Sequence, residues 1–106
     1  MANLKDSPTL TDLQCHIKEV CKEKGWDKNS ITEIYLLFSE EIGELAKAIR
    51  KVTKLKGESN EGAEENLREE FADVLNYLMD LANYFNVDLE EAYREKHHIN
   101  SDRVWK

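Results

Sequence analysis

The chain of 106 residues contains little that bends or breaks a backbone: one proline and four glycines. A β-sandwich or another turn-rich fold uses many more turn residues, so these two shortages favour long helices. Aromatic residues make up only 8% of the chain, whereas 35% of its residues are charged, which also suits helices with solvated faces. The sequence therefore predicts an all-α protein.

Cysteine is scarce as well. Cys15 and Cys21 are six residues apart, on different sides of one predicted helix, and no zinc-ligand or redox-motif spacing surrounds them. We expect free thiols in a reducing compartment. The chain also lacks a run of about 18 apolar residues and a signal-peptide core, so we predict a cytoplasmic protein without membrane contact.

Basic residues are outnumbered, with 15 Lys and Arg against 22 Asp and Glu and a formal net charge of −7. The positive surface that nucleic-acid binding needs is missing, so we expect no nucleic-acid partner. An acidic protein can still handle a polyphosphate when metal ions bridge the two anions, because the cation reverses the local field.

The length suits one domain with one modest core, and we predict a single domain over residues 1–106, with residues 1–8 and 54–63 flexible. The spacing of apolar residues predicts four helices. The first runs from Leu10 to Gly25 with Thr9 or Thr11 as its cap, and the second follows a Ser30 and Glu33 capping box and continues to about Val52. The third covers about Glu64 to Asn86, and Asp88 with Glu91 caps a short fourth.

The second and third helices are predicted to form a long hairpin flanked by the shorter helices, in a four-helix-bundle-like arrangement. The third helix has a predicted core stripe of Leu67, Phe71, Val74, Leu78, Leu81 and Phe85. Helices of about 33 Å are longer than a compact globule of this size needs. We therefore expect two hairpins to bury each other's stripes in a homodimer or homotetramer.

The stretch "SEEIGELAKAI" places three glutamates on an otherwise apolar helix. At about 100° per residue, Glu41 lies at the centre of the apolar stripe, Glu44 about 60° away and Glu40 about 100° away. Burying two like charges one turn apart costs several kcal/mol each unless a cation compensates, and no basic residue on that face is spaced to pair. Gly43 between them suggests close approach by another helix or a substrate.

The third helix carries a second acidic pair, Glu70 and Asp73, at the edge of its stripe in "REEFADVL". Two carboxylates from each of two antiparallel helices form a cage for a hard divalent cation, with Mg²⁺ favoured when waters and phosphates complete its shell. The alternative is that these are ordinary solvated carboxylates. That alternative weighs more on Glu70 and Asp73 than on the pair in the second helix.

The motifs "EEIGEL", "EEFADVL" and "KHHINSDR", in this order and preceded by "KGW", resemble those of the MazG-type nucleoside triphosphate pyrophosphohydrolases, within the all-α NTP pyrophosphatase superfamily. The resemblance extends from Leu10 to Trp105. It implies Mg²⁺-dependent hydrolysis of NTPs or dNTPs to nucleoside monophosphate and pyrophosphate, with Mn²⁺ as a substitute metal and a role in cleaning the nucleotide pool.

The resemblance also implies roles for individual residues. Glu41, Glu44, Glu70 and Asp73 would hold the metal, with Glu41 and Glu44 also catalytic through a metal-bound or glutamate-activated water. Lys96 and Arg103 would contact the phosphates, and Asn100 would hydrogen-bond the substrate. Tyr77, one turn after Asp73, can reach the phosphates or be partly buried. Trp26 can stack on a nucleobase or seal the end of a helix pair.

Two other classes of function remain open at this point. A di-iron or di-manganese carboxylate bundle could use Glu95 and His98 as an ExxH motif, but the second ExxH that such a site needs is absent. A non-enzymatic helical dimerisation module would explain the long helices and leave Glu41 in an apolar stripe unexplained.

Overall fold

The computed structural model describes residues 2–53 and 61–102. They form the helices α1 (Leu10–Lys24), α2 (Ile31–Thr53), α3 (Ala63–Tyr84) and α4 (Leu89–Ser101), with a single 3-10 turn at Trp26–Lys28 that was not predicted. Neither described range contains a strand, and the all-α prediction is confirmed. None of the helices in these ranges is long and apolar enough to cross a membrane.

The helix ends follow the predicted caps closely. The Glu33 backbone N–H donates to Ser30 Oγ over 3.2 Å, and the Ser30 backbone N–H donates to Glu33 Oε1 over 3.4 Å. These two bonds confirm the capping box of α2. Thr9, rather than Thr11, caps α1 in a second capping box, with Asp12. Gly25 ends α1 in the left-handed conformation at φ 74°.

Residues 29–81 form one compact unit, built from α2 and most of α3. Nine residues (54–62) separate the two helices along the sequence. Among the residues that the structure describes in this unit, only four apolar ones are buried, and two of the four are alanines. They are Ile34, Ala48, Ala63 and Met79. The described part of this unit therefore has a small apolar core, and the long hairpin stays a prediction.

The predicted core stripe of α3 is wrong in part, because Phe71, Leu78 and Phe85 are exposed. Leu67, Val74 and Leu81 are half-buried. The apolar sector of a 22-residue helix is wider than the surface that one neighbouring helix covers, so part of the stripe stays outside. Burial of that part by a second chain, in a dimer or tetramer, stays a prediction.

Met1–Lys28 and Ala82–Lys106 form the other compact unit. Its centre is Gln14 of α1, only 6% exposed, whose amide donates to Asn83 Oδ1 and the Val87 carbonyl and accepts from Leu89 N–H. Asn86 turns the chain between α3 and α4 in the left-handed region, at φ 56°. A satisfied buried amide thus fixes α1 against the start of α4.

Asp88 serves two partners in this unit. It caps α4 by accepting Glu91 N–H over 3.0 Å, as predicted, and it also accepts the hydroxyl of Thr11 over 3.2 Å. Both cysteines are free thiols, Cys15 exposed and Cys21 buried. The predicted flexible stretch 54–63 and the predicted phosphate ligand Arg103 fall wholly or largely outside the described residues.

Candidate metal centre

Three carboxylates from two helices converge within the unit of residues 29–81. Glu41 of α2 and Glu70 and Asp73 of α3 each offer one oxygen, and these three oxygens lie within 4.8 Å of one another. All three side chains are half-buried. Glu70 and Asp73 reach the same point because residues three apart on a helix are neighbours on its surface.

Mutual repulsion and burial act together on Glu41. Desolvation, a hydrogen bond to the Glu70 carboxyl and the charges of Asp73, Glu70 and Glu44 all raise the pKa of Glu41, to about 6 from 4.5. In the absence of a cation, this raised pKa reflects the repulsion among the neighbouring carboxylates and the burial of Glu41.

The second oxygen of Glu70 is the clearest sign of a missing partner. Glu70 Oε2 is buried and has no hydrogen-bond partner among the residues that the structure describes. Such orphaned acceptors are rare, because an unpaired buried acceptor costs about 1–3 kcal/mol. Carboxylate oxygens are the donors that Mg²⁺, Mn²⁺ and Ca²⁺ prefer, so this residue set fits a hard divalent cation.

The first acidic motif splits between two environments. Glu44 is exposed and does not join the three converging oxygens, although its charge helps to raise the pKa of Glu41. Glu40 is exposed, as its position about 100° from Glu41 indicated. The cage of four expected from the sequence is therefore a group of three, with Glu44 at its margin.

The second acidic pair, Glu70 and Asp73 on α3, provides two of the three converging carboxylates. Counting about 100° per residue from Glu70, the apolar residues Ala63, Leu67, Val74 and Leu81 all fall within about 60° of it. That is the pattern that singled out Glu41. A helical wheel of α3 centred on Glu70 would therefore have identified Glu70 as a candidate ligand from the sequence.

The remaining predicted substrate residues are distributed over both units. Tyr77, half-buried on α3, lies in the same unit as the carboxylates, one turn after Asp73. Lys96 and Asn100 are on α4 in the other unit, with Lys96 exposed and Asn100 half-buried. Trp26, also there, is half exposed, and the Lys24 ammonium lies 5.4 Å from its ring centroid.

The structure does not favour a histidine-containing di-metal site. Glu95 and His98 are exposed on α4. Within residues 2–53 and 61–102, the one set of acidic, histidine or cysteine side chains close enough to share an ion consists of Glu41, Glu70 and Asp73. An all-carboxylate site suits a hard ion more than an iron pair held by two ExxH motifs.

Comparison with known families gives an independent result. Residues 29–99, well over half of the chain, match the family model of the MazG nucleotide pyrophosphohydrolase domain. The matched segment contains both acidic motifs, Tyr77 and Lys96, and it stops one residue before Asn100. Trp26 and Arg103 lie outside it. A comparison with curated proteins found no match.

Proposed function

The chain belongs to the MazG nucleotide pyrophosphohydrolase family, and we propose that it hydrolyses nucleoside triphosphates to nucleoside monophosphate and pyrophosphate with the help of Mg²⁺. Membership implies nucleotide pyrophosphohydrolase activity and, in general, a dependence on metal. The proposal adds the identity of the ion, the bond that is cleaved and a role in removing unwanted nucleotides from the cellular pool.

The observation that carries the proposal is the convergence of the Glu41, Glu70 and Asp73 oxygens within 4.8 Å. In our proposal these three carboxylates hold the ion, and the orphaned Oε2 of Glu70 is one of the atoms that meets it. When bound, the ion supplies positive charge that neutralises phosphate oxygens and orients the substrate. Mn²⁺ has similar ligand preferences and is expected to substitute.

Cations of the chain itself would meet the rest of the triphosphate. We assign Lys96 and Arg103 to the phosphate oxygens and Asn100 to a hydrogen bond with the substrate, on the basis of their spacing in the C-terminal motif. Lys96 lies within the segment that matches the family, which supports its assignment most. Tyr77 and Trp26 are proposed as a phosphate and a nucleobase contact, respectively.

Glu44 has a different environment from the three converging carboxylates. It is exposed and one helical turn from Glu41, so its carboxylate is open to solvent beside the site. We assign to Glu44 the acceptance of a proton from the attacking water, which would leave Glu41 to hold the ion. Under this assignment the two glutamates of the first motif have separate tasks.

The proposal is tested by incubating the protein with ordinary and modified NTPs and dNTPs in Mg²⁺ and separating the products by ion-exchange chromatography. We expect monophosphate and pyrophosphate in equal amounts. Reaction in ¹⁸O-labelled water then shows by mass spectrometry which product carries the label, and hence which phosphorus the water attacks. Diphosphate and inorganic phosphate as products would contradict the proposed bond cleavage.

A matched pair of variants separates the enzyme from a non-enzymatic dimerisation module. Glu44→Gln should lower kcat by roughly 100-fold or more, as expected for the loss of a general base, whereas Glu40→Gln, an exposed neighbour, should keep wild-type kcat. If the wild-type chain turned over no substrate in the panel while remaining folded by circular dichroism, the enzymatic proposal would fail.

A further inference from the structure

Three consecutive residues at the start of α4 are each hydrogen-bonded to α1. The bonded pairs are Thr11 Oγ1 with the Asp88 carboxylate, the Leu89 N–H with Gln14 Oε1, and the Leu10 N–H with Glu90 Oε1. The bond from Leu89 measures 3.0 Å and the other two measure 3.2 Å. All of these residues belong to one compact unit. We call the three contacts the α1–α4 clasp.

The buried member of the clasp is Gln14, which is 6% exposed. Its amide nitrogen donates to Asn83 Oδ1 and to the Val87 carbonyl, and its amide oxygen accepts the Leu89 N–H. Asn83 in turn donates its side-chain amide to the Gln14 carbonyl over 3.1 Å. A shift of this buried amide would leave polar groups unpaired, which is costly. Gln14 therefore fixes the backbone of Leu89.

The chain enters α4 from a closed turn. Asn86 lies in the left-handed region at φ 56°, and its N–H donates to the Asn83 carbonyl over 3.1 Å. The Val87 N–H donates to the Ala82 carbonyl over 2.9 Å. These two bonds form a Schellman motif at the end of α3. The short connection from Tyr84 to Leu89 therefore leaves little freedom where α4 begins.

Beyond its start, α4 has few other attachments. Residues 91–101 are exposed except for Ala92 and Asn100, which are half-buried. Within residues 2–53 and 61–102, none of their side chains forms a hydrogen bond with α1 or α3. An open cavity of about 320 Å³ lies against the same part of the helix and is lined by Leu10, Glu90, Tyr93, Arg94 and His97. The direction of α4 is therefore set at the clasp.

We infer that Thr11 and Gln14 are positioning residues for Lys96, an inference that rests on the proposed function, in which Lys96 contacts the phosphates. Lys96 lies seven residues after Leu89, which is about 10 Å along a helix axis. A tilt of about 10° at Leu89 would move the Lys96 backbone by about 2 Å. Misplacement of a reacting group by about 1 Å can cost about 100-fold in rate. Thr11 and Gln14 lie outside the segment 29–99 that matches the family, so family membership assigns them no role.

Steady-state hydrolysis of a nucleoside triphosphate in Mg²⁺ tests the inference on the full chain. Thr11→Val removes the donor to Asp88 but leaves Asp88 as the cap of α4, through the Glu91 N–H. We expect KM to rise at least about fivefold and kcat to stay within about twofold, as for a lost binding contact. Thr11→Ser keeps the hydroxyl and should restore the wild-type KM. Lys5→Met is the matched control, because it breaks the ion pair of Lys5 with Asp12, which does not involve α4.

A double-mutant cycle shows whether Thr11 acts through Lys96. In a Lys96→Met background, Thr11→Val should change KM by less than about twofold, because the positioned group is gone. An undiminished effect in that background would overturn the inference, and so would a wild-type KM in folded Thr11→Val protein. Both results would leave the proposed function standing. A wild-type chain that hydrolyses no nucleotide would instead overturn the proposed function, and this inference with it.

A measurement on the wild-type chain keeps the test valid if Thr11→Val unfolds. Saturating Mg²⁺ and an α,β-methylene nucleoside triphosphate, which cannot be cleaved between these phosphates, should slow hydrogen exchange of the Leu89 N–H at least about tenfold. The reason is linkage: a ligand held by Lys96 favours the clasped position of α4, in which Gln14 accepts the Leu89 N–H. An unchanged exchange rate at Leu89 with the analogue bound would overturn the inference.

Discussion

Glu41 on α2 and Glu70 on α3 each place a carboxylate oxygen within 4.8 Å of the other. Carboxyl side chains are ionised at neutral pH in water, and two like charges at this distance repel each other. The contact therefore marks a site where the fold holds negative charges closer than they tolerate without a cation. Most of the following predictions depend on this pair.

Replacing Glu41 by glutamine should strongly reduce activity and keep the fold. The glutamine side chain is nearly the same size, but it binds a hard cation poorly, and the change removes one of three carboxylates. We expect kcat to fall by about 100-fold to 1,000-fold, a range typical for the loss of one electrostatic contact at a reacting centre. Steady-state kinetics beside circular dichroism measures this. Wild-type activity in a folded Glu41→Gln protein would remove Glu41 from the site.

The stability of the metal-free protein should depend on Glu41 ionisation. The folded-state pKa of Glu41 is raised to about 6 from 4.5, so the folded chain binds more protons than the unfolded chain between these values. The free energy of unfolding should therefore fall as pH rises through this window. The destabilisation is absent below pH 4.5 and complete above pH 6. Urea titrations in EDTA at several pH values measure the slope.

A variant and the separate pH range of Asp12 isolate the Glu41 contribution to this pH dependence. The Glu41→Gln variant should lose most of the slope between pH 4.5 and 6, because its side chain does not titrate. The pKa of Asp12 is lowered by its capping hydrogen bond to Thr9 and by Lys5, so its stabilisation is lost only at more acidic pH. A wild-type slope of opposite sign would contradict the arrangement of the three carboxylates.

Magnesium should stabilise the folded chain, because it relieves the repulsion among the three carboxylates. At a concentration of 100 Kd, a ligand that binds only the folded state adds about 2.7 kcal/mol, which corresponds to a rise in Tm of roughly 10 °C for a chain of this size. Differential scanning calorimetry with and without MgCl₂, at ionic strength matched with KCl, measures the shift. Glu70→Gln should abolish it, and Glu40→Gln should retain it.

Gly43→Ala should stabilise α2. A Cβ added at Gly43 would meet nothing within 4 Å, so the close approach suggested by the sequence does not occur within the described chain. Alanine in a helix interior is favoured over glycine by about 0.5–1 kcal/mol. Urea unfolding should show a gain of this size. A loss of stability, or of assembly, would instead indicate that another chain approaches Gly43 closely.

Local interactions explain why so much of the fold could be predicted from the sequence. The caps at Ser30 with Glu33 and at Asp88, and the end of α1 at Gly25, depend on residues within four positions of each other. Such signals are complete in a short stretch of sequence. The 3-10 turn at Trp26–Lys28 was not predicted. The Gln14 hydrogen bonds were not predicted either, because they join residues about 70 positions apart in the sequence.

The presence of helices, most of their ends and the position of Glu41 on an apolar face could be predicted from the sequence, because helical periodicity is a local property. Which carboxylates meet depends instead on the tertiary structure. It brought Glu70 and Asp73 to Glu41 and left Glu44 at the margin. It also left Phe71 and Ile42 exposed. Both outcomes depend on how far α2 rotates against α3, and that rotation is set by packing between helices, which no single helix encodes.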